Sequence, residues 1–239
     1  MRNRTSQPRF SLGTIALPLS IWMVSLVVPS FFGATFEHLK LSSDPDLLLR
    51  APWTILTYAW IHESPLHLIL NLGVLFMLAI IWNDRSLGRF YLLFILGILA
   101  GGVAFVLFSQ DYRYAYLCGA SAGISSLLAG YLLETLLCSG KHPGMVTYLL
   151  LFLVAIDLSS LFVFRDSVWY IHPVGYVLGA VVYLISYYHK RSFKENKRRD
   201  RDTFEDQILR KAKDSGYQSL TEEEKSTLRQ LCSSPYIHH

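Results

Sequence analysis

The sequence predicts an all-α membrane protein with six transmembrane helices, both termini cytoplasmic and a short polar tail. Three observations predict it. The 239 residues are 52% hydrophobic and only 17% charged, with a mean hydropathy of +0.33, whereas a soluble domain carries about 25% charged residues. The charge is unevenly spread: the last 50 residues hold 21 of the 40 Asp, Glu, Lys and Arg, and residues 1–189 only 19. The apolar body also divides into charge-free intervals near the roughly 20 residues that carry a helix across a hydrocarbon core about 30 Å thick. An all-soluble fold is excluded, and the tail is too short for a large second domain.

Those intervals are 10–36, 64–83, 90–110, 114–133, 142–156 and 167–189, the fifth continuing past Asp157 to Phe164. Arg2, Arg4 and Arg9 give the first interval the flank of a secretion signal. It is too long for one and five spans follow, so it reads as an uncleaved helix. Sidedness follows from Lys and Arg. The N-terminus, the 84–89 loop (Arg85, Arg89), the 134–141 loop (Lys141) and the tail together hold 18; Lys40, Arg50, Arg113 and Arg165 hold the other four. The organisation is then a cytoplasmic N-terminus at 1–9, a membrane domain at 10–189 with an outer loop at about 37–63, a basic linker at 190–203 and a small helical cytoplasmic tail at 204–239. Leu47-Leu48-Leu49 and Trp53 put the outer loop partly in the membrane interface.

The net charge of +4 is no sign of nucleic acid. The cluster Lys190, Arg191, Lys194, Lys197, Arg198, Arg199 and Arg201 follows the last span directly and holds the tail against anionic lipid. The partner this implies is the bilayer. Cys118, Cys138 and Cys232 show neither metal-ligand spacing nor a disulfide framework, and the first two read as small apolar residues. Gly97 and Gly101, Gly119 and Gly123, Ser126 and Gly130, and Gly175 and Gly179 stand four apart, which lets helices approach closely in lipid.

Function is legible in the few polar residues. Under this orientation spans two, four and six run inward from the outer face, and each carries polar groups near its outer end: His67 and Asn71, Ser121, and His172. Each lies within about 12 Å of the outer boundary at the helical rise of 1.5 Å per residue. Polar groups are expensive in a membrane, and a serine facing a histidine is what nucleophilic catalysis needs. His67 and Asn71, four apart, share a helix face. His62 and His67, five apart, diverge by about 140°, so His62-Glu63-Ser64-Pro65-Leu66-His67 is not the His-Glu-x-x-His zinc signature. No metal is implied. Small neighbours in Cys118-Gly119-Ala120-Ser121-Ala122-Gly123 leave room for an approaching backbone. Alternating Tyr112, Tyr114 and Tyr116 suit an extended stretch upstream, so Ser121 is expected at a helix N-terminus, where free N–H groups favour an oxyanion. Pro173 marks a helix first turn at His172, whose positive end keeps an imidazole neutral for base catalysis. A lone serine or histidine ordinarily means packing or an interfacial position, and Asp157 reads as interfacial rather than as a proton relay. Convergence at one depth in three parallel helices is what shifts the balance.

At these residues the sequence resembles the rhomboid family of intramembrane serine proteases. Gly119-Ala120-Ser121-Ala122-Gly123 is similar to the family's Gly-x-Ser motif on its fourth helix. His172-Pro173-Val174-Gly175-Tyr176-Val177-Leu178-Gly179 has the His-x-x-Gly-x-x-x-Gly spacing of the sixth. His67-Leu68-Ile69-Leu70-Asn71 has the His-x-x-x-Asn of the second, and Pro52-Trp53 through Thr57 resembles the stretch before it. The likeness covers about residues 50–189. It implies a rhomboid-like six-helix bundle and a Ser121–His172 dyad without a third acid. It also implies an oxyanion site from Asn71, His67 and the Ser121 N–H, no cofactor, and substrates that are transmembrane proteins cleaved near the outer face. Departures are Ala122 just after the serine, Pro173 beside the histidine, and Ser125, where many members place an aromatic ring against that histidine. Trp169 or Tyr170 is the expected substitute for orienting His172.

In the tail, Phe204, Ile208, Leu209 and Ala212 make one helical stripe, Ser215-Gly216 ends it, and Thr221 to Glu224 reads as a capping box opening a second helix with Leu228 and Leu231. Gly216-Tyr217-Gln218-Ser219-Leu220-Thr221 with Glu222-Glu223-Glu224-Lys225 resembles a cytoplasmic appendage of some bacterial rhomboids, which implies a bacterial inner membrane. A proteolytically inactive rhomboid-like protein that binds membrane clients stays open, as does a small transporter. The intact Ser121 and His172 weigh against the first, and the crowding of polar groups in the outer third against the second. Oligomeric state is not set by the sequence.

Overall fold

In lipid every backbone N–H and C=O must find its partner within the segment, so apolar runs of this length become helices. The computed structural model describes residues 12–32, 38–82, 86–109, 115–138, 144–163 and 170–233. Arg2, Arg4, Arg9, Arg85, Arg113, Lys141, Arg165, Tyr112, Tyr114 and Trp169, used above for sidedness and orientation, lie outside them. The chain forms two compact units, Met1–Leu184 and Ile185–His239.

The first unit contains α1 (Leu12–Phe32), α2 (Pro45–Arg50), α3 (Thr54–Thr57), α4 (Pro65–Ile81), α5 (Leu87–Phe108), α6 (Ser121–Cys138), α7 (Met145–Val163) and the opening of α8 (Ile171–Ser215). A two-residue pairing, β1 (Leu41–Ser42) antiparallel to β2 (Tyr116–Leu117), is the sheet among the described residues. By length and composition α5 and α8 are each able to cross a membrane. The segment Thr54–Trp60 with α4 passes as a pair bent by 92°. The apolar stretches Leu12–Val27, Ser121–Leu137 and Met145–Ser159 are shorter. The chain is a helical integral membrane protein.

Two devices hold the unit together. The first is close approach. A Cβ added to Gly97 of α5 would stand 2.6 Å from the Ser126 Cβ of α6, and one on Gly123 would stand 2.6 Å from the Phe94 ring. Glycine at these points lets α5 and α6 meet nearly backbone to backbone. The second is polar side chains that bond carbonyls of neighbouring helices. Ser126 Oγ donates to Leu93 O at 2.8 Å, Thr14 Oγ1 to Ala79 O at 3.0 Å, and Tyr91 OH to Gly13 O at 2.7 Å. Around them Trp82, Tyr58, Phe90, Phe94 and Phe105 are fully buried.

The 37–63 outer segment is folded wherever it is described. Tyr58 drives its hydroxyl into the core, donating to Ile98 O at 2.8 Å, while Leu49 and Trp53 stay exposed. The helix start expected at Ser121 is found, inside the longer charge-free interval that contains it. The fourth charge-free interval begins at 114, yet α6 begins at Ser121, because residues 116–117 are paired with β1 and Gly119 sits at φ +111°. Absence of charge does not mark where a helix starts.

In the second unit α8 continues to Ser215, so the segment read as a basic linker is helical, with Arg191–Glu195 and Arg201–Glu205 pairs at i,i+4 spacing. Gly216, at φ +80°, ends it, and α9 (Glu222–Ser233) follows. The capping box is present in both directions: Thr221 N–H donates to Glu224 Oε2 at 2.7 Å, and Glu224 N–H to Thr221 Oγ1 at 3.3 Å. Lys211 Nζ donates to both oxygens of the Glu224 carboxylate, at 3.0 and 2.8 Å. Of the expected apolar stripe Ile208 is buried, as is Leu220 after it, while Phe204 and Leu209 are exposed. The hairpin core is smaller than the stripe implies.

Candidate active site

Ser121 is the first residue of α6. The Ile124 N–H reaches back to Ala120 O at 3.0 Å, so the N–H groups just ahead of it, that of Ser121 included, are the ones a helix leaves without an internal acceptor. The approach to the serine is held by two neighbouring segments, 41–43 and Tyr58. β2 pairs with β1, Ser43 N–H donates to Ala115 O, and Gly119 N–H donates to Tyr58 O, both at 3.0 Å. Gly119 needs to be glycine twice over. Its φ of +111° is one side chains avoid, and an added Cβ would stand 2.6 Å from His67 Cε1 and 3.7 Å from Asn71 Nδ2. The turn before the serine therefore lies directly against the two polar residues of α4.

In α4, Ser64 caps the helix by accepting from the His67 N–H at 3.2 Å, with Pro65 in the first turn. Asn71 is buried, and its Nδ2 has no hydrogen-bond partner among the described residues. A buried amide donor without an acceptor costs free energy of about 1–3 kcal/mol, and His62 Nε2 is unpaired in the same way. The His67 ring stands edge to face with that of His62, centroids 5.0 Å apart.

His172 is the second residue of α8, whose start is marked by Val174 N–H bonding to Tyr170 O at 3.1 Å. Gly175, one turn on, lies against Ala122 O and Ser125 Cβ, and Gly179 against the Ser126 backbone. These contacts press α8 onto α6 within a turn of both His172 and Ser121, and His172 lies within electrostatic reach of His67. All four residues singled out from the sequence thus belong to one neighbourhood. Ser121 and His172 make no hydrogen bond with each other.

One neighbour of His172 was not anticipated. Asp157 of α7, expected to be interfacial, is half-buried and places Oδ1 2.7 Å from His172 Nδ1. The Tyr176 hydroxyl donates to its Oδ2 at 2.8 Å, and Ser125, itself buried, hydrogen-bonds Tyr176. Tyr170, one of the two residues expected to orient His172, instead pairs its hydroxyl with Ser109, and the other, Trp169, is outside the described residues. The signal that could have found Asp157 is plain in retrospect: it is the acid that interrupts an otherwise apolar run.

Residues 50–189 match the family model of the Rhomboid domain. The chain belongs to the rhomboid family. No curated protein matches it. Rhomboids are generally intramembrane serine proteases, and the motifs quoted around His67, Ser121 and His172 fall inside the matched region, whereas the tail motif at 216–225 lies outside it. Among the described residues no three His, Cys, Asp or Glu side chains are grouped as a metal ion would need.

Proposed function

We propose that this rhomboid is an active intramembrane serine endopeptidase that cuts transmembrane helices of other membrane proteins near the outer face. The observation that carries the reading is the orphaned, buried Asn71 amide beside the Gly119 turn that leads into Ser121. A donor held ready next to a helix-start serine suits an oxyanion. Ser121 Oγ attacks the scissile carbonyl carbon, the carbonyl electron pair moves onto oxygen, and His172 Nε2 takes the hydroxyl proton. Asn71 Nδ2, His67 and the Ser121 N–H stabilise the oxyanion, each donor of this kind contributing about 2.7–4 kcal/mol in soluble hydrolases. As the C–N bond breaks, His172 returns the proton to the leaving amine; water then repeats the cycle on the acyl-enzyme. No cofactor takes part.

In this reading the six apolar helices are six spans, with both termini cytoplasmic. Residues 10–189 form the protease, 190–203 a basic link and 204–239 a cytoplasmic appendage. The tail's resemblance to an appendage of some bacterial rhomboids supports a bacterial inner membrane as its location. The test is cleavage of a single-span substrate co-reconstituted in liposomes, with the cut mapped by mass spectrometry. Wild type is expected to cut near the outer end of the substrate helix and Ser121→Ala not at all. Cleavage that persists in Ser121→Ala sinks the assignment. A second reading, a client-binding relative without activity, has one observation in its favour, the missing Ser121–His172 hydrogen bond. Such bonds often tighten only with substrate bound, so the protease is preferred.

A further inference from the structure

The rhomboid motifs account for a serine and a histidine, but they leave unexplained why an aspartate stands inside an apolar helix. A carboxylate at membrane depth is costly unless it is paired, and it is then by default a functional residue. Asp157 is paired on both oxygens: Oδ1 lies 2.7 Å from His172 Nδ1, and Oδ2 accepts from Tyr176 OH at 2.8 Å. Tyr176 is four residues after His172, so both point from one face of α8 toward α7. Ser125 of α6 anchors the tyrosine in turn.

We infer that Asp157 is a third member of the site, a positioning carboxylate that makes the Ser121–His172 pair of this rhomboid a Ser–His–Asp arrangement. An ionised carboxylate only accepts hydrogen bonds, so Oδ1 fixes the neutral imidazole as the Nδ1–H tautomer. Nε2 is left with its lone pair, free to face Ser121. When Ser121 Oγ bonds to the substrate carbon its proton passes to Nε2, and Asp157 stabilises the imidazolium without being protonated. The same proton then leaves with the amine. Tyr176 holds the second carboxylate oxygen, and Ser125 supports Tyr176 from the position where many rhomboids carry an aromatic ring. Orientation that stacking supplies elsewhere is supplied here by a chain of four side chains on three helices. Removing the corresponding carboxylate from soluble Ser–His–Asp proteases lowers kcat by about 10⁴-fold, largely by leaving the wrong tautomer.

The inference rests on the protease reading above, and two readouts separate their fates. The first is the imidazole ¹⁵N spectrum of His172 in the full chain, reconstituted in lipid; the second is the rate of fluorophosphonate labelling of Ser121 and of cleavage of the reconstituted substrate. Wild type is expected in the Nδ1–H tautomer, and Asp157→Asn, close in shape to the aspartate, is expected to lose that preference. Its kcat should fall by about 10²-fold or more with KM little changed. Asp157→Glu should recover part of the rate, and Tyr176→Phe should give a smaller loss with the tautomer retained. Thermal unfolding of each variant separates misfolding from misorientation. Wild-type tautomer and rate in a folded Asp157→Asn overturn the inference while leaving the protease reading intact. A wild type that neither labels nor cleaves overturns both.

Discussion

The two units of the chain hold helices together by opposite means. In the membrane unit, helices meet through absent side chains: Gly97 and Gly123 between α5 and α6, Gly175 and Gly179 between α8 and α6. Several hydrogen bonds that cross between helices go to backbone carbonyls, as from Ser126 to Leu93, beside the side-chain pairs that join His172, Asp157 and Tyr176. In the tail unit, helices meet through present ones: the Thr221–Glu224 capping box, the Lys211–Glu224 ion pair, and a core that includes Ile208 and Leu220. Lipid gives apolar helices no reason to associate, so packing and carbonyl bonds decide. In water charge is tolerated, and a hairpin too short for a full core relies on it. The lesson concerns precision. Backbone contacts in the membrane unit fix Ser121 and His172 within narrow limits, whereas the tail's contacts tolerate solvent.

The sharpest way to break that contrast is to add atoms at a seam. Gly179→Leu would drive a side chain into the Ser126 backbone, where neither helix can yield. It is expected to cost about 3 kcal/mol or more, read as a lost unfolding transition in detergent. Gly73→Ala in α4 is the control, because a Cβ there meets nothing within 4 Å; it should be neutral or slightly stabilising, by up to ~1 kcal/mol. If both glycines respond alike, close approach is not what holds the unit.

Next in size is the turn before the serine. Gly119→Ala forces a side chain onto φ +111° and against the His67 ring, a strain of about 1–3 kcal/mol. It should slow serine labelling more than it lowers the unfolding temperature, since the displaced group is His67. Equal loss of both would make the turn merely structural.

The tail should give the smallest and most local effects. Thr221→Ala removes the cap of α9 and is expected to cost about 1 kcal/mol, seen as faster amide exchange in residues 222–233 with no change in the membrane unit. Acid should act on the same spot. The Lys211 hydrogen bond, with the Thr221 N–H, holds the Glu224 carboxyl below its ordinary value near 4.5. A group depressed in the folded state contributes its stability above the unfolded value and loses it as pH falls through the folded one. The hairpin should therefore loosen progressively below about pH 4.5, and high salt at neutral pH should weaken it in the same direction. Exchange rates in 222–233 that ignore both pH and salt would remove the ion pair from the account.

How much of this was legible in the sequence follows from what each signal measures. His67, Asn71, Ser121 and His172 stand out because polar residues in apolar runs are rare, and counting from each span's start puts them at one depth. The Gly pairs were visible for the same reason of spacing, although only the structure says which helix each one meets. The pairing of Asp157 with His172 was not foreseen because depth was judged along its own helix alone. Its partner lies on α8, 15 residues away in sequence, and no local pattern reports that. The start of α6 at Ser121 was legible in the alternating tyrosines and not in the charge-free interval, because residues 116–117 lack charge as a helix would, while strand pairing and the Gly119 turn come before the helix. The helical continuation of α8 through 190–203 was hidden for the converse reason: polarity there says solvent exposure and not loss of helix, and the i,i+4 pairs such as Arg191–Glu195 were the overlooked clue.

The measurement that tests the central claim most directly is fluorophosphonate labelling of the purified full chain in lipid, with Ser121→Ala and His172→Ala beside it. The account predicts covalent labelling of wild type at Ser121, lost in both variants while their unfolding transitions remain. A folded wild type that does not label, or labelling that survives in Ser121→Ala, would contradict it.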